Sequence, residues 1–174
     1  MQTTYDPTRE LQVGDTASMS KLVSDEDVRV FAEISGDKNP VHLDDAFAAT
    51  TVFKKRIAHG ALSSALISAV LGMVMPGPGT IYLSQNLKFK APVYIGDQIT
   101  ARVAVTAYRA DKRIATLNTQ VFNQDEKLVM EGEAVVIAPL PKPSPWYKKL
   151  ERFLSSQLLR WMRFLRLEKR QETR

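Results

Sequence analysis

Cysteine is absent from this 174-residue chain. Disulfide staples, thiolate nucleophiles and thiolate metal sites are therefore excluded, and the composition suits a reducing, cytoplasmic setting. Histidine is scarce, with only His42 and His59. The first ten residues are polar and lack an apolar core, so no secretion signal is read there. The longest apolar run, residues 61–75, is broken by serines and a glycine and is too short to span a bilayer comfortably. No Gly-x-Ser-x-Gly elbow occurs, which argues against a serine nucleophile. Pro76-Gly77-Pro78-Gly79 is no phosphate loop, because its prolines remove amide donors that a phosphate needs.

The formal charge of +5 is unevenly placed. From Lys142 onward the chain carries ten basic and three acidic residues, so the preceding part is slightly acidic. Nothing in that distribution supports nucleic-acid binding by the main domain. Pro139, Pro141, Pro143 and Pro145 alternate with other residues and mark a stiff linker. They divide the chain into a domain over residues 1–140 and an appendage over 141–174. In the appendage Trp146, Leu150, Phe153, Leu154, Leu158, Trp161, Met162 and Leu165 fall on one side of a helical wheel. Lys148, Arg152, Arg163, Arg166 and Arg170 cluster on the other, which predicts a basic amphipathic helix. Such a helix suits an anionic membrane or granule surface, a partner or second subunit, or its own domain.

Within the first 140 residues the hydrophobic period changes once. Leu11–Thr16 reads as a short strand and turn. Ser24 with Asp27 forms a capping box ahead of Val28, Phe31 and Ile34, and Gly36 ends that helix. A short helix follows over Asp44–Thr50. Gly60–Val74 is apolar nearly all round, which predicts a buried helix. Strands follow, first over Ile81–Phe89. Ile99, Ala101, Val103, Val105 and Ala107 then alternate inward, as do Ala115, Leu117, Thr119 and Val121, and finally Met130, Gly132, Ala134 and Val136. Short turns join them into an antiparallel meander. The predicted class is α+β, an antiparallel sheet wrapped around a long central helix.

Both histidines lie in polar punctuation between these elements. Ser35-Gly36-Asp37-Lys38-Asn39-Pro40-Val41-His42 carries an acid, an amide and an imidazole within six residues around a proline, so this reads as a loop and not a helix face. Asp37 and His42 can grip one water between a carboxylate and a ring nitrogen. Ala58-His59-Gly60 opens the long helix, where free backbone N–H groups can meet a developing negative oxygen. Together these parts suggest water addition to a polarised carbonyl compound. The bland readings are that Asp37 is a turn residue and that His42 and His59 are structural, His59 by shaping the loop. A metal site from His42, Asp44, Asp45 and His59 fits no standard zinc spacing, so no metal is expected. Ser63, Ser64 and Ser68 read mostly as small packing residues.

These segments, followed by Leu71-Gly72, Pro76-Gly-Pro-Gly-Thr-Ile-Tyr-Leu, Phe89-Lys-Ala-Pro-Val and Gly96-Asp97, resemble the (R)-specific enoyl-CoA hydratases, MaoC-like proteins of the hot dog fold. The resemblance spans roughly residues 10 to 140 and leaves out the appendage. It implies reversible hydration of trans-2-enoyl-CoA to (R)-3-hydroxyacyl-CoA, in fatty-acid or polyhydroxyalkanoate metabolism. Asp37 and His42 would be the catalytic pair, and the Gly60 N–H the donor to the thioester oxygen. Asn39 would support the loop and Ser68 the active site. No cofactor is implied, since the coenzyme A thioester is substrate. A homodimer or higher homo-oligomer, joined sheet edge to sheet edge, is implied as well. An acyl-carrier-protein dehydratase, a thioesterase of the same fold and a non-catalytic acyl-thioester scaffold are the alternatives.

Overall fold

The computed structural model describes residues 1–142. The predicted C-terminal helix lies outside the described residues, and Met1–Leu140 forms a compact unit. Helix α1 (Asp25–Ser35) begins where the sequence signals it. The Asp27 N–H donates to Ser24 Oγ, and the Ser24 N–H donates back to the Asp27 carboxylate. Gly36 stops the helix at φ 76°, a conformation in which a side chain is strained. Two short helices follow, α2 (Pro40–Leu43) and α3 (Asp45–Thr50), and then the long α4 (Gly60–Met73).

Six strands make one antiparallel sheet: β1 (Gln2–Thr3), β2 (Thr16–Leu22), β3 (Ile81–Phe89), β4 (Gln98–Arg109), β5 (Ile114–Phe122) and β6 (Leu128–Ile137). Their spatial order is β1-β2-β4-β5-β6-β3. The predicted meander is therefore real for β4, β5 and β6, while β3 lies beyond β6 at the sheet edge. Helix α4 packs against β2, β4 and β5. It buries Leu66, Ile67, Val70 and Leu71, with Ile67 fully enclosed. Full burial of side chains such as Ile67 and Leu71 stabilises the fold by about 1.5–3 kcal/mol each.

Four expectations need correction. The strand predicted over Leu11–Thr16 is a loop, and the strand begins at Thr16. Arg9 donates to both oxygens of the buried Asp15 at 2.6 and 2.9 Å, and the Gln12 N–H donates to the same carboxylate at 2.8 Å. That knot holds the segment in a turn. Strand β2 escapes a pattern search because Thr16, Ser18 and Ser20 alternate with the small Ala17 and with Met19. Ala107 is exposed and not inward, because a bulge between Val105 and Ala107 shifts the register by one residue. His42 lies on the short helix α2 and not in open loop, since Pro40 at its first turn presets the helical backbone. Finally, α4 is buried on one side only. Ala61, Ala65, Ser68 and Met73 are exposed in the single chain.

Candidate active site

The Asp37 loop is built from short local bonds. Its N–H donates to Ser35 Oγ at 3.2 Å, and Asp37 Oδ1 accepts the Asn39 N–H at 3.2 Å. Asn39 in turn caps α2, with its Oδ1 taking the Val41 N–H at 3.2 Å. Asn39 thus shapes the turn that carries His42, as its place in the motif suggests. Asp37 remains exposed, whereas His42 is 8% exposed.

His42 is held by Ile57. Its Nδ1–H donates to the Ile57 carbonyl at 2.8 Å, which leaves Nε2 as the ring nitrogen available to another partner. The second ring, His59, stacks on His42 with centroids 3.8 Å apart and planes tilted by 31°. Its Nε2–H donates to the Asp37 backbone carbonyl at 2.9 Å. Donor atoms of Asp37, His42 and His59 all lie within 4.8 Å of one another. These three have metal-ligand chemistry, yet Asp44 and Asp45 are engaged elsewhere. Asp44 accepts the Phe47 N–H, and Asp45 binds Arg56.

Gly60 follows His59 directly and opens α4, so its N–H is one of the first-turn donors without a helical acceptor. Among the described residues no side chain caps this end. The glycine has a second reason: a Cβ here would lie 2.6 Å from Phe89 Cε1. A cavity of about 560 Å³ opens at the same place, lined by Phe53, Ile57, Ala58, Gly60, Phe89 and Lys90 among others. It is mostly apolar and can take an acyl or pantetheine chain. Asp37 and His42 do not line it. The two regions meet at Ile57, whose carbonyl anchors His42, and at His59-Gly60.

The structure thus brings Asp37, His42 and the α4 start together. It does not bring Ser68 to them: Ser68 is exposed, more than two turns along α4, while the buried Ser63 lines the cavity. One participant, Arg56, has no counterpart in the sequence reading. Arg56, 13% exposed at its side chain, donates to Asp25 at 2.6 Å and to Asp45 at 2.8 Å. It follows Lys54 and Lys55 directly, and nothing in that run distinguishes it from them. His59 was assigned a shaping role, and its stack on His42 has no signal in a linear sequence.

A family model described as "MaoC like domain" matches residues 3–126. The chain belongs to the MaoC-like family. Its hot dog arrangement, a sheet curled over a long helix, agrees with that membership. Within the family, it is 53% identical to an (R)-specific enoyl-CoA hydratase of Aeromonas caviae over 74% of this chain and 96% of the relative. A second (R)-specific enoyl-CoA hydratase, from Rhodospirillum rubrum, is 50% identical over 75% and 90%. Among solved structures, the Aeromonas caviae (R)-hydratase involved in PHA biosynthesis has a TM-score of 0.72, covering 74% of this chain and 98% of that one. The unliganded R-hydratase of Pseudomonas aeruginosa, 50% identical, also scores 0.72 over 75% and 83%.

Proposed function

We propose that this MaoC-like protein is a hydro-lyase that adds water to trans-2-enoyl-CoA, giving (R)-3-hydroxyacyl-CoA, and runs the reverse dehydration. One observation carries the reading: an acid and an imidazole converge next to a helix N-terminus that no described side chain caps, beside an apolar cavity. The hydratase names of relatives sharing half of their residues support it and favour it over a thioesterase or a scaffold.

The chemistry follows from the atoms. A water between Asp37 and His42 donates one hydrogen to the carboxylate and one to Nε2, leaving an oxygen lone pair for the substrate C3. Attack moves charge through the conjugated system to the thioester oxygen. The Gly60 N–H, aided by the α4 dipole, stabilises that oxygen as it becomes an enolate. Asp37 takes the water proton, the hydroxyl stays on C3, and the enolate gains one proton at C2 as the site gives up the proton it took, so that one water is added in all and the carboxylate is restored. Coenzyme A enters as part of the substrate, and no step in this scheme calls for a metal.

The same reading includes a homodimer. Strand β3 is an edge strand of nine residues with Ile81, Leu83 and Phe89 exposed, an open ladder suited to a second copy. No described helix is long and apolar enough to cross a membrane. The cysteine-free chain is assigned to the cytoplasm, where its thioester substrate meets a reducing medium.

The test is the loss of enoyl-thioester absorbance with crotonyl-CoA and a longer enoyl-CoA, followed by chiral analysis of the product. Formation of the (R) alcohol is expected. Release of free thiol without hydration would instead assign a thioesterase, and no turnover of either substrate would sink the hydratase reading.

A further inference from the structure

We propose that His59 is a positioning residue, the one side chain that sets Asp37, His42 and Gly60 relative to one another. The proposal rests on the hydration reading above and extends it to a residue that need not touch substrate.

Three contacts converge on this ring. Its Nε2–H donates to the Asp37 carbonyl at 2.9 Å across 22 residues of sequence. Other hydrogen bonds of Asp37 among the described residues are local, to Ser35 and Asn39. His59 therefore ties the exposed end of the loop to the core. Its face stacks on His42 at 3.8 Å between centroids, which blocks rotation of the imidazole about its Cβ–Cγ bond. The Phe31 ring of α1 also lies near it, with centroids 5.0 Å apart and planes tilted by 51°. The third link is covalent, because His59 immediately precedes Gly60 and is the N-cap residue of α4.

The remaining ring atom shows that packing alone does not explain the residue. His59 is 2% exposed, and its Nδ1 is buried with no hydrogen-bond partner among the described residues. An unsatisfied buried acceptor is unfavourable, and an apolar ring of similar size would avoid it. What an imidazole adds here is the N–H aimed at Asp37. The tautomer follows: Nε2 carries the hydrogen because its partner is a carbonyl oxygen, and Nδ1 is left bare. His42 has the opposite tautomer, with Nδ1–H on Ile57. The two stacked rings thus lie between the Asp37 backbone and the Ile57 carbonyl, each donating one N–H outward. Reacting groups misplaced by about 1 Å lose about a hundredfold in rate.

The full-length protein tests this with two substitutions and one measurement on the unaltered chain. His59→Phe keeps an aromatic face but removes the donor, whereas His59→Gln keeps an amide donor. In crotonyl-CoA hydration, His59→Phe is expected to lower kcat about thirtyfold with KM changed less than about threefold. Its melting temperature should stay close to that of the parent, and His59→Gln should recover much of the loss. A His59→Phe enzyme with kcat within about threefold of the parent overturns the proposal. So does a kcat loss that merely tracks melting temperature in both variants. If His59→Phe fails to fold, the 15N imidazole spectrum of the parent decides. It is expected to show His59 as the Nε2–H tautomer and His42 as Nδ1–H, and the reverse tautomer at His59 overturns the proposal. Parent protein that turns over no enoyl-CoA refutes the hydratase reading, while the tautomer result still judges the His59 arrangement.

Discussion

Point substitutions separate the reactive roles. Asp37→Asn keeps an oxygen to accept the Asn39 N–H, so the loop should survive while the base is lost. His42→Ala removes the other holder of the water. Each is expected to lower hydration by about a hundredfold or more with the fold unchanged. Near-normal turnover in either folded variant would remove the pair from the mechanism. Gly60 calls for a finer design, because two features coincide there. Gly60→Ala keeps the N–H but drives a Cβ to 2.6 Å from Phe89 Cε1. Gly60→Pro removes the N–H at a helix position that tolerates proline. Combining each with Phe89→Ala clears the steric conflict. Activity should then return in the alanine pair and stay down about a hundredfold in the proline pair. Equal kcat in the two double variants would show that the oxyanion donor lies elsewhere.

Between elements, Arg56 is the connector to test. It joins Asp25 at the start of α1 to Asp45 of α3, and its Nη1–H approaches the His42 carbonyl at 3.5 Å. Arg29 first and Arg56 second hold the Asp25 carboxyl below its ordinary range. A carboxyl lowered in the folded state stabilises it at and above the unfolded value, and that stability is lost as pH falls through the folded value. Arg56→Met is therefore expected to lower the melting temperature by about 2–4 °C at neutral pH. The gap to the parent should narrow below about pH 4, where an unperturbed aspartate is half protonated, and close as pH falls through the lowered folded value. A gap of constant size from pH 7 to pH 3 would show that only the aliphatic stem of Arg56 contributes. This network also marks where sequence reading stops. Helix α1 was legible because capping box and terminal glycine are local signals, and β5 because all four inward residues keep strict alternation. Asp37, His42 and Gly60 were legible as a motif. The β3 position, the Ala107 bulge, Arg56 and the histidine stack were not, because each depends on which distant segments become neighbours.

At the scale of the whole molecule, the hydration chemistry is expected to be independent of the basic appendage. The family match ends at residue 126 and the compact unit at Leu140, so both precede the basic appendage. Truncation after Pro141 is expected to leave a folded hydratase with kcat within about twofold of the full chain. The removed segment lies outside the described residues, and its sequence reads as an amphipathic helix with one apolar and one cationic face. An apolar face of that length is unfavourable in water without a cover, and the opposite face favours anionic surfaces. Co-sedimentation with anionic and neutral liposomes distinguishes a surface role from an assembly role when run beside solution mass measurements of both proteins. Surface binding predicts pelleting of the full chain with anionic vesicles, weakening as salt rises, and no pelleting of the truncation. Assembly predicts a drop in subunit number on truncation without vesicle binding. A dimer formed through β3 should survive the cut, since that edge strand lies within the compact unit, so a monomeric truncation would overturn the edge-to-edge dimer as well.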